Sequence, residues 1–218
     1  MTFLTATERD CLDKVKELHK ALAEITAIRS QIAKGAEFRG YGPMTLAATG
    51  LLALLGAALQ AYFLPEPTRN IEAFVAIWLA VAVLSFALIG IETAARSRRI
   101  HSGLADEMLY AAIGEFVPAA VAGLLTTFIL FRFAPQALWM LPGLWQIIFS
   151  LGVFASCHLL PRPIFAAGAW YFLCGLANLA LAQEERAFSP LSMGVPFGFG
   201  QLLIAFILHR NFGENDAA

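Results

Sequence analysis

The chain has 218 residues, of which 59% are hydrophobic and 14% are charged, and its formal net charge is -1. So few charged residues cannot cover the surface of a soluble domain of this length, so the composition indicates an integral membrane protein. No basic patch favours a nucleic-acid partner.

The first 37 residues are polar on average but have a helical periodicity. Apolar side chains recur at heptad-like spacing along one seam: Cys11, Val15, Leu18, Leu22, Ile25 and Ile32. Such a seam predicts a cytoplasmic amphipathic helix, which pairs with a second copy as a short coiled coil, binds a cytoplasmic protein partner, or docks on the membrane domain. The N-terminus lacks the pattern of a cleavable signal peptide, so we expect the first apolar span to direct membrane insertion.

Residues 38–43 form a linker with glycines and a proline, and six apolar spans follow. Each span has about the length needed to cross a hydrocarbon layer of roughly 30 Å. The predicted spans are 44–63, 73–91, 108–133, 138–159, 164–182 and 191–208. The sequence therefore predicts an all-α fold, with a transmembrane domain over 44–210 built from three antiparallel helical hairpins, and a cytoplasmic tail at 211–218.

The positions of the arginines predict the orientation of these spans. Arg96, Arg98 and Arg99 follow span two, and strict alternation places Arg162 and Arg210 on the same side. Clustered basic residues beside short loops are retained in the cytoplasm. We therefore expect both termini to be cytoplasmic, in a plasma membrane of the bacterial inner-membrane type.

Glu115 is an ionisable residue inside the third span, where a charge costs roughly 3 kcal/mol on insertion scales. It shares a helical face with small residues, namely Ala112, Ala119, Ala122 and Thr126. The same register predicts that four bulky side chains face lipid: Phe116, Leu124, Phe128 and Phe131. We therefore predict that Glu115 points into the bundle, and it is the strongest candidate in the sequence for binding a proton or a ligand. The structural alternative is a carboxylate that reaches the cytoplasmic interface.

Other titratable side chains lie at the cytoplasmic ends of the spans, among them Glu92, His158 and His209. A carboxylate–histidine cluster can relay protons or bind a metal, and His158 with His209 could ligate a haem. No two of these ligands have the i, i+3 or i+4 spacing of a metal site on one helix. We therefore expect no metal or cofactor, since histidines at helix C-termini are also favoured by the helix dipole.

Four amide side chains lie inside the spans: Gln60, Gln146, Asn178 and Gln201. They predict interhelical hydrogen bonds or, alternatively, a polar pocket. Span six begins with Pro190, Gly194, Pro196 and Gly198, so its outer half is predicted to be kinked or unwound and to line a cavity. The four tryptophans are expected to include interfacial anchors.

The sequence carries no catalytic triad, metalloprotease motif or phosphate-binding loop, which disfavours an enzyme. Two function classes remain. In the first, the protein is a non-enzymatic sensor, regulator or anchor, and its N-terminal helix mediates self-association or partner binding. In the alternative, it is a small-solute or proton-coupled transporter or channel, with Glu115 as the titrating residue and the start of span six as a cavity wall.

Overall fold

The structure, a computed structural model, describes residues 42–99, 103–157, 162–182 and 184–216. The predicted N-terminal helix and its seam lie outside these residues. The described part of the chain is helical and contains no strand. Its α-helices, numbered in chain order, are α1 (Pro43–Phe63), α2 (Ile71–Arg99), α3 (Gly103–Phe133), α4 (Leu141–Ser156), α5 (Phe165–Leu181) and α6 (Pro190–Asp216).

Five segments of the described chain are long and apolar enough to cross a membrane. They belong to α1, α2, α3, α4 with the turn before it, and α6. The remaining helix, α5, is apolar but has only 17 residues. The all-helical, multi-pass membrane architecture predicted from composition and span length therefore agrees with the structure.

Several helix boundaries differ from the predicted spans. Helix α2 continues past residue 91 to Arg99, α3 already begins at Gly103, and α6 continues past residue 208 to Asp216. Hydropathy marks where a helix leaves the apolar layer, but a helix needs only backbone hydrogen bonds to continue into water. At the fourth span, a 3-10 turn, Pro135–Met140, precedes α4, and Pro142 occupies the first turn of that helix, where its missing N–H is tolerated.

The helices pack as a ring in the order in which they follow one another in the chain, and the ring closes through α1 and α6. Helix α1 makes its most extensive contacts with α6, and α4 with α5. Helix α2 also packs on α1, α3 on α4, and α5 on α6, whereas α2 and α3 barely touch. Going round the bundle, the order is therefore α2, α1, α6, α5, α4, α3.

Two of these contacts are close helix crossings at glycines. Gly50 on α1 meets Gly198 on α6, and Gly143 on α4 meets Gly175 on α5. At the second crossing each glycine lies against the backbone carbonyl of the other, and a Cβ on either would come within 3 Å of that oxygen. Small residues therefore bring these two helix pairs into backbone contact, as in other membrane helix pairs.

Three 3-10 turns gather at one end of the bundle, here called the turn end. They are Pro67–Arg69, Pro135–Met140 and Glu184–Phe188, and the last contacts both others. A buried apolar cluster at this end includes Phe74, Leu141 and Met193. A second cluster, with Val153, Ile164 and Leu208, lies toward the other end.

The register of α3 corrects one prediction. Its less exposed side chains form a stripe through Phe116, Ala119, Thr126 and Phe131, while Leu124 and Phe128 are exposed. Phe116 and Phe131 therefore do not face lipid as predicted, because the stripe that packs on the bundle includes large rings as well as small residues. Ala122, expected on the bundle face, is exposed.

Candidate functional site

Aromatic rings fill the middle of the bundle. Phe149 on α4 is the central ring, with centroid distances of 5.0 Å to Phe116, 4.7 Å to Tyr171 and 5.3 Å to Phe197. Phe86 on α2 joins the group through Phe116, at 5.7 Å. These contacts connect five of the six helices, at separations typical of favourable ring pairs. The rings thus form one continuous contact network that joins these helices.

A polar cluster lies where α4, α5 and α6 meet. Pro196 has no N–H, so it cannot bond the carbonyl of Ser192, which is four residues earlier in α6. That carbonyl accepts two other hydrogen bonds, at 2.7 Å from Gln146 Nε2 and at 2.9 Å from Asn178 Nδ2. Asn178 Nδ2 also donates to Gln146 Oε1 at 3.0 Å. Two amides from neighbouring helices therefore replace the donor that the proline removes.

Gln60 forms a second polar cluster, between α1, α2 and the turn before α6. It is fully buried, and its Nε2 donates to the carbonyl of Phe188 at 2.6 Å. Its Oε1 accepts from the indole N–H of Trp78 at 2.8 Å. Gln60 is thus held by two partners on different elements, and it does not share a pocket with Gln146 and Asn178.

The tryptophans have interior roles that the sequence analysis missed. Trp145 donates to the hydroxyl of Thr127 at 2.9 Å, and Trp170 donates to the carbonyl of Pro196 at 3.0 Å. Trp78 is buried, and Trp139 packs against the cluster at the turn end. In the sequence, these roles are indicated by an indole N–H donor on one span together with a proline or a hydroxyl group on a neighbouring span.

Two buried polar atoms have no hydrogen-bond partner within the described residues, Tyr171 Oη and Gln201 Oε1. The hydroxyl end of the Tyr171 ring lies against Gly200, the residue before Gln201. Gln201, predicted to bond between helices or to line a pocket, therefore stands apart from the two amide clusters. An unpaired buried polar group costs free energy, so a small molecule that hydrogen-bonds to it gains more binding free energy there than at a paired group.

The glycine-rich start of span six is helical, and α6 runs without interruption through Pro196. The segment is therefore not unwound, whereas a kink at Pro196, the other form of the prediction, stays a prediction. Gly194 lies against Ala57, and Gly198 against Leu54 and Gly50, so these glycines serve packing on α1. The amides described above compensate for Pro196 without loss of helical structure.

A cleft of about 810 Å³ opens at the turn end. One wall is the connection between α1 and α2, where Glu66 and Arg69 form an ion pair. The other wall includes Glu185, Ser189 and Pro190, directly at the start of α6. The cleft therefore joins two connections that are predicted to lie on the outer side.

Of the remaining predicted site residues, Glu92 and His209 lie away from this end. Glu92 is half-buried near the other end of α2, and His209 is exposed on α6. Glu115 lies in α3, but its side chain and all of His158 are outside the described residues. Within the described part of the chain, no three side chains of histidine, cysteine, aspartate or glutamate come together as a metal site would require.

Comparisons of the chain with protein-family models, with curated proteins and with solved structures gave no match.

Proposed function

We propose that this protein is a non-enzymatic membrane anchor or regulator, whose membrane domain holds an N-terminal cytoplasmic helix available for self-association or for a cytoplasmic partner. In this proposal the six helices form three consecutive hairpins with both termini in the cytoplasm. The contacts of α1 with α2, of α3 with α4 and of α5 with α6 support that arrangement.

The observation that carries the proposal is the use of the amides. Three of the four amides that could line a polar solute pocket, Gln60, Gln146 and Asn178, donate to backbone carbonyls of residues 188 and 192. Together with the aromatic contacts that join five helices, these bonds favour a packed structural domain over an open passage. The function then depends on what the membrane domain holds at its surface.

The N-terminal seam provides the test. Leu18→Glu with Leu22→Glu places two charges on the predicted contact surface, so we expect the detergent-solubilised protein to change from a dimer to a monomer. Light scattering combined with size-exclusion chromatography measures the mass of the protein. This mass should fall by about half, because a dimer held by only three or so heptads separates when its seam is charged. The thermal unfolding midpoint of the membrane domain should not change.

The matched control is Ala23→Glu with Ala27→Glu, which adds the same charge away from the seam. This pair should leave the mass unchanged. If the seam variant keeps the wild-type mass, self-association through the helix is excluded. If wild type is itself monomeric, the remaining form of the proposal is a partner protein that binds the seam.

The transporter or channel is the alternative, and one observation favours it. The cleft at the turn end is lined by Ser189 and Pro190 at the start of α6. Two further polar atoms, Tyr171 Oη on α5 and Gln201 Oε1 on α6, are buried and have no hydrogen-bond partner among the described residues. The residues that line the cleft belong to the ends of α1 and α6 and to the connections between helices, and none of them belongs to α3. The alternative therefore requires a rearrangement that brings a solute from the cleft to Glu115, whereas the anchor does not.

A further inference from the structure

Residues 188–195, here called the strap, precede Pro196 and differ from the rest of α6. The hydrogen bond from residue 196 to Ser192 is absent because proline has no N–H. Gly194 and Gly198 lie on either side of the proline, and glycine is the weakest helix former after proline. Sharp bends in helices occur at such positions, so α6 bends most easily between the strap and the segment after it.

Side chains of three other helices hold the strap in place. Gln60 on α1 donates to Phe188 O at 2.6 Å, while Gln146 on α4 and Asn178 on α5 both donate to Ser192 O. Each acceptor is a backbone oxygen of the strap, and each donor lies outside α6. The strap is thus attached by bonds that can break without unwinding any helix.

The strap also forms part of the cleft at the turn end. Ser189 and Pro190 line one side of the cleft, and residues 61–69 line the other. Movement of the strap away from α1 and α4 would extend the cleft toward Gln60, Gln146 and Asn178. In that state the three amides and the freed carbonyls face water, which replaces the hydrogen bonds that were lost.

We propose that the strap is a gate over the cleft, with Pro196 as its hinge and Gln60, Gln146 and Asn178 as its latches. Opening the gate admits water and small polar solutes from the turn end to the three amides. The gate goes beyond the anchoring function, since it gives the membrane domain two states that a ligand at the turn end can select. A ligand that binds only the open state shifts the protein toward that state.

Thiol labelling of the variant Met193→Cys tests the gate. Met193 is a residue of the strap whose side chain is buried on the side that faces the bundle, with its sulfur 3.8 Å from Gln146 Nε2. In full-length protein in nanodiscs, with Cys11, Cys157 and Cys174 changed to alanine, Met193→Cys reports access of a membrane-impermeant maleimide to the underside of the strap. Val153→Cys, buried in α4 toward the other end, is the matched control for general loosening.

We expect Gln146→Leu with Asn178→Leu to accelerate labelling of Met193→Cys about tenfold, since each interhelical hydrogen bond in a membrane shifts an equilibrium by roughly threefold. Pro196→Ala returns a helical N–H to Ser192 O, so it should slow labelling and should also suppress the acceleration caused by the two leucines. Labelling of Val153→Cys should stay equal in all variants.

Two results would overturn the gate. One is an equal labelling rate of Met193→Cys in the leucine variant and in Pro196→Ala, because then neither latch nor hinge controls access. The other is an increase at Val153→Cys in parallel with Met193→Cys, because then the amides hold the whole bundle together and no separate strap moves.

Discussion

The buried amides of Gln146 and Asn178 stabilise the fold mainly by pairing a backbone carbonyl that would otherwise have no hydrogen-bond donor. A backbone carbonyl without a partner in an apolar medium costs roughly 2–7 kcal/mol, depending on the reference state. An added interhelical hydrogen bond in a membrane contributes only about 0.6 kcal/mol on average. Ser192 O loses its helical donor to Pro196, so Gln146 and Asn178 serve chiefly to keep that oxygen paired. Their polarity is thus explained without a ligand.

Glu115 is the residue that best separates the two function classes. Under the anchor proposal, Glu115→Gln should keep the wild-type dependence of the thermal unfolding midpoint on pH, because no ligand or coupled proton depends on the carboxylate. Glu115→Ala should lower the thermal unfolding midpoint below that of Glu115→Gln only if it leaves a buried partner unpaired. The measurement is thermal unfolding of the purified protein between about pH 5 and 8, the range in which folded proteins tend to be most stable.

Glu92→Gln, which removes a carboxylate from the second half of α2, is the control for a general effect of charge. A pH- or ligand-dependent change that wild type and Glu92→Gln show, and that Glu115→Gln lacks, would contradict the anchor proposal and favour proton-coupled transport.

Among the helices, the two pairs with the most extensive contacts cross at glycines. Gly50 with Gly198 joins α1 to α6, and Gly143 with Gly175 joins α4 to α5. Gly123 on α3 is different, since nothing lies within 4 Å of the place where its Cβ would be. The segments that begin at Gly50, Gly123 and Gly175 look alike in sequence, but only two of these glycines are required for packing.

Gly175→Ala and Gly123→Ala form a matched pair of variants. A methyl group at residue 175 would meet Gly143 O at 2.8 Å and Ile147, so Gly175→Ala should reduce the free energy of unfolding by about 1–3 kcal/mol, as overpacking does. Gly123→Ala should be neutral or stabilising by up to about 1 kcal/mol, because alanine is the better helix former.

Unfolding of the purified protein in mixed micelles, titrated with dodecyl sulfate and followed by circular dichroism, measures both changes. Equal effects of the two substitutions would mean that the crossing at Gly143 and Gly175 does not limit stability.

For the molecule as a whole, the bundle closes around the rings of Phe116, Phe149 and Tyr171. Neighbouring helices in the chain are joined by short connections, and three of the four connections with a 3-10 turn in the described chain lie at the turn end. The arginine distribution predicts that this end lies outside the cell and that the termini lie in the cytoplasm.

Cysteine accessibility in intact cells tests this topology. In a chain without its native cysteines, Thr68→Cys and Glu185→Cys should react with an impermeant maleimide, whereas cysteines at residues 100 and 216 should react only after the membrane is permeabilised. Labelling of residues 68 and 100 from the same side would be incompatible with six spans.

The helices and their membrane character could be predicted from the sequence because both depend on local apolarity and length. Partner choice could not, since Gln146 and Asn178 meet Ser192 only through the folded order of α4, α5 and α6. The small-residue stripe predicts that Phe116 faces lipid, but the face that packs on the bundle includes this large ring beside Ala119 and Thr126. The missing N–H of Pro196 was visible in the sequence, but the donors that replace it were not.

The pairing of α1 with α6 has a consequence for biosynthesis. Helix α1 is the first of the six to leave the ribosome, and its main partner, α6, is the last. Until α6 inserts, the small-residue face around Gly50 and Ala57 has no partner from that helix. An unfinished or truncated chain would therefore show the insertion machinery and membrane proteases an unpaired small-residue face, a signal by which the cell can distinguish incomplete copies from finished ones.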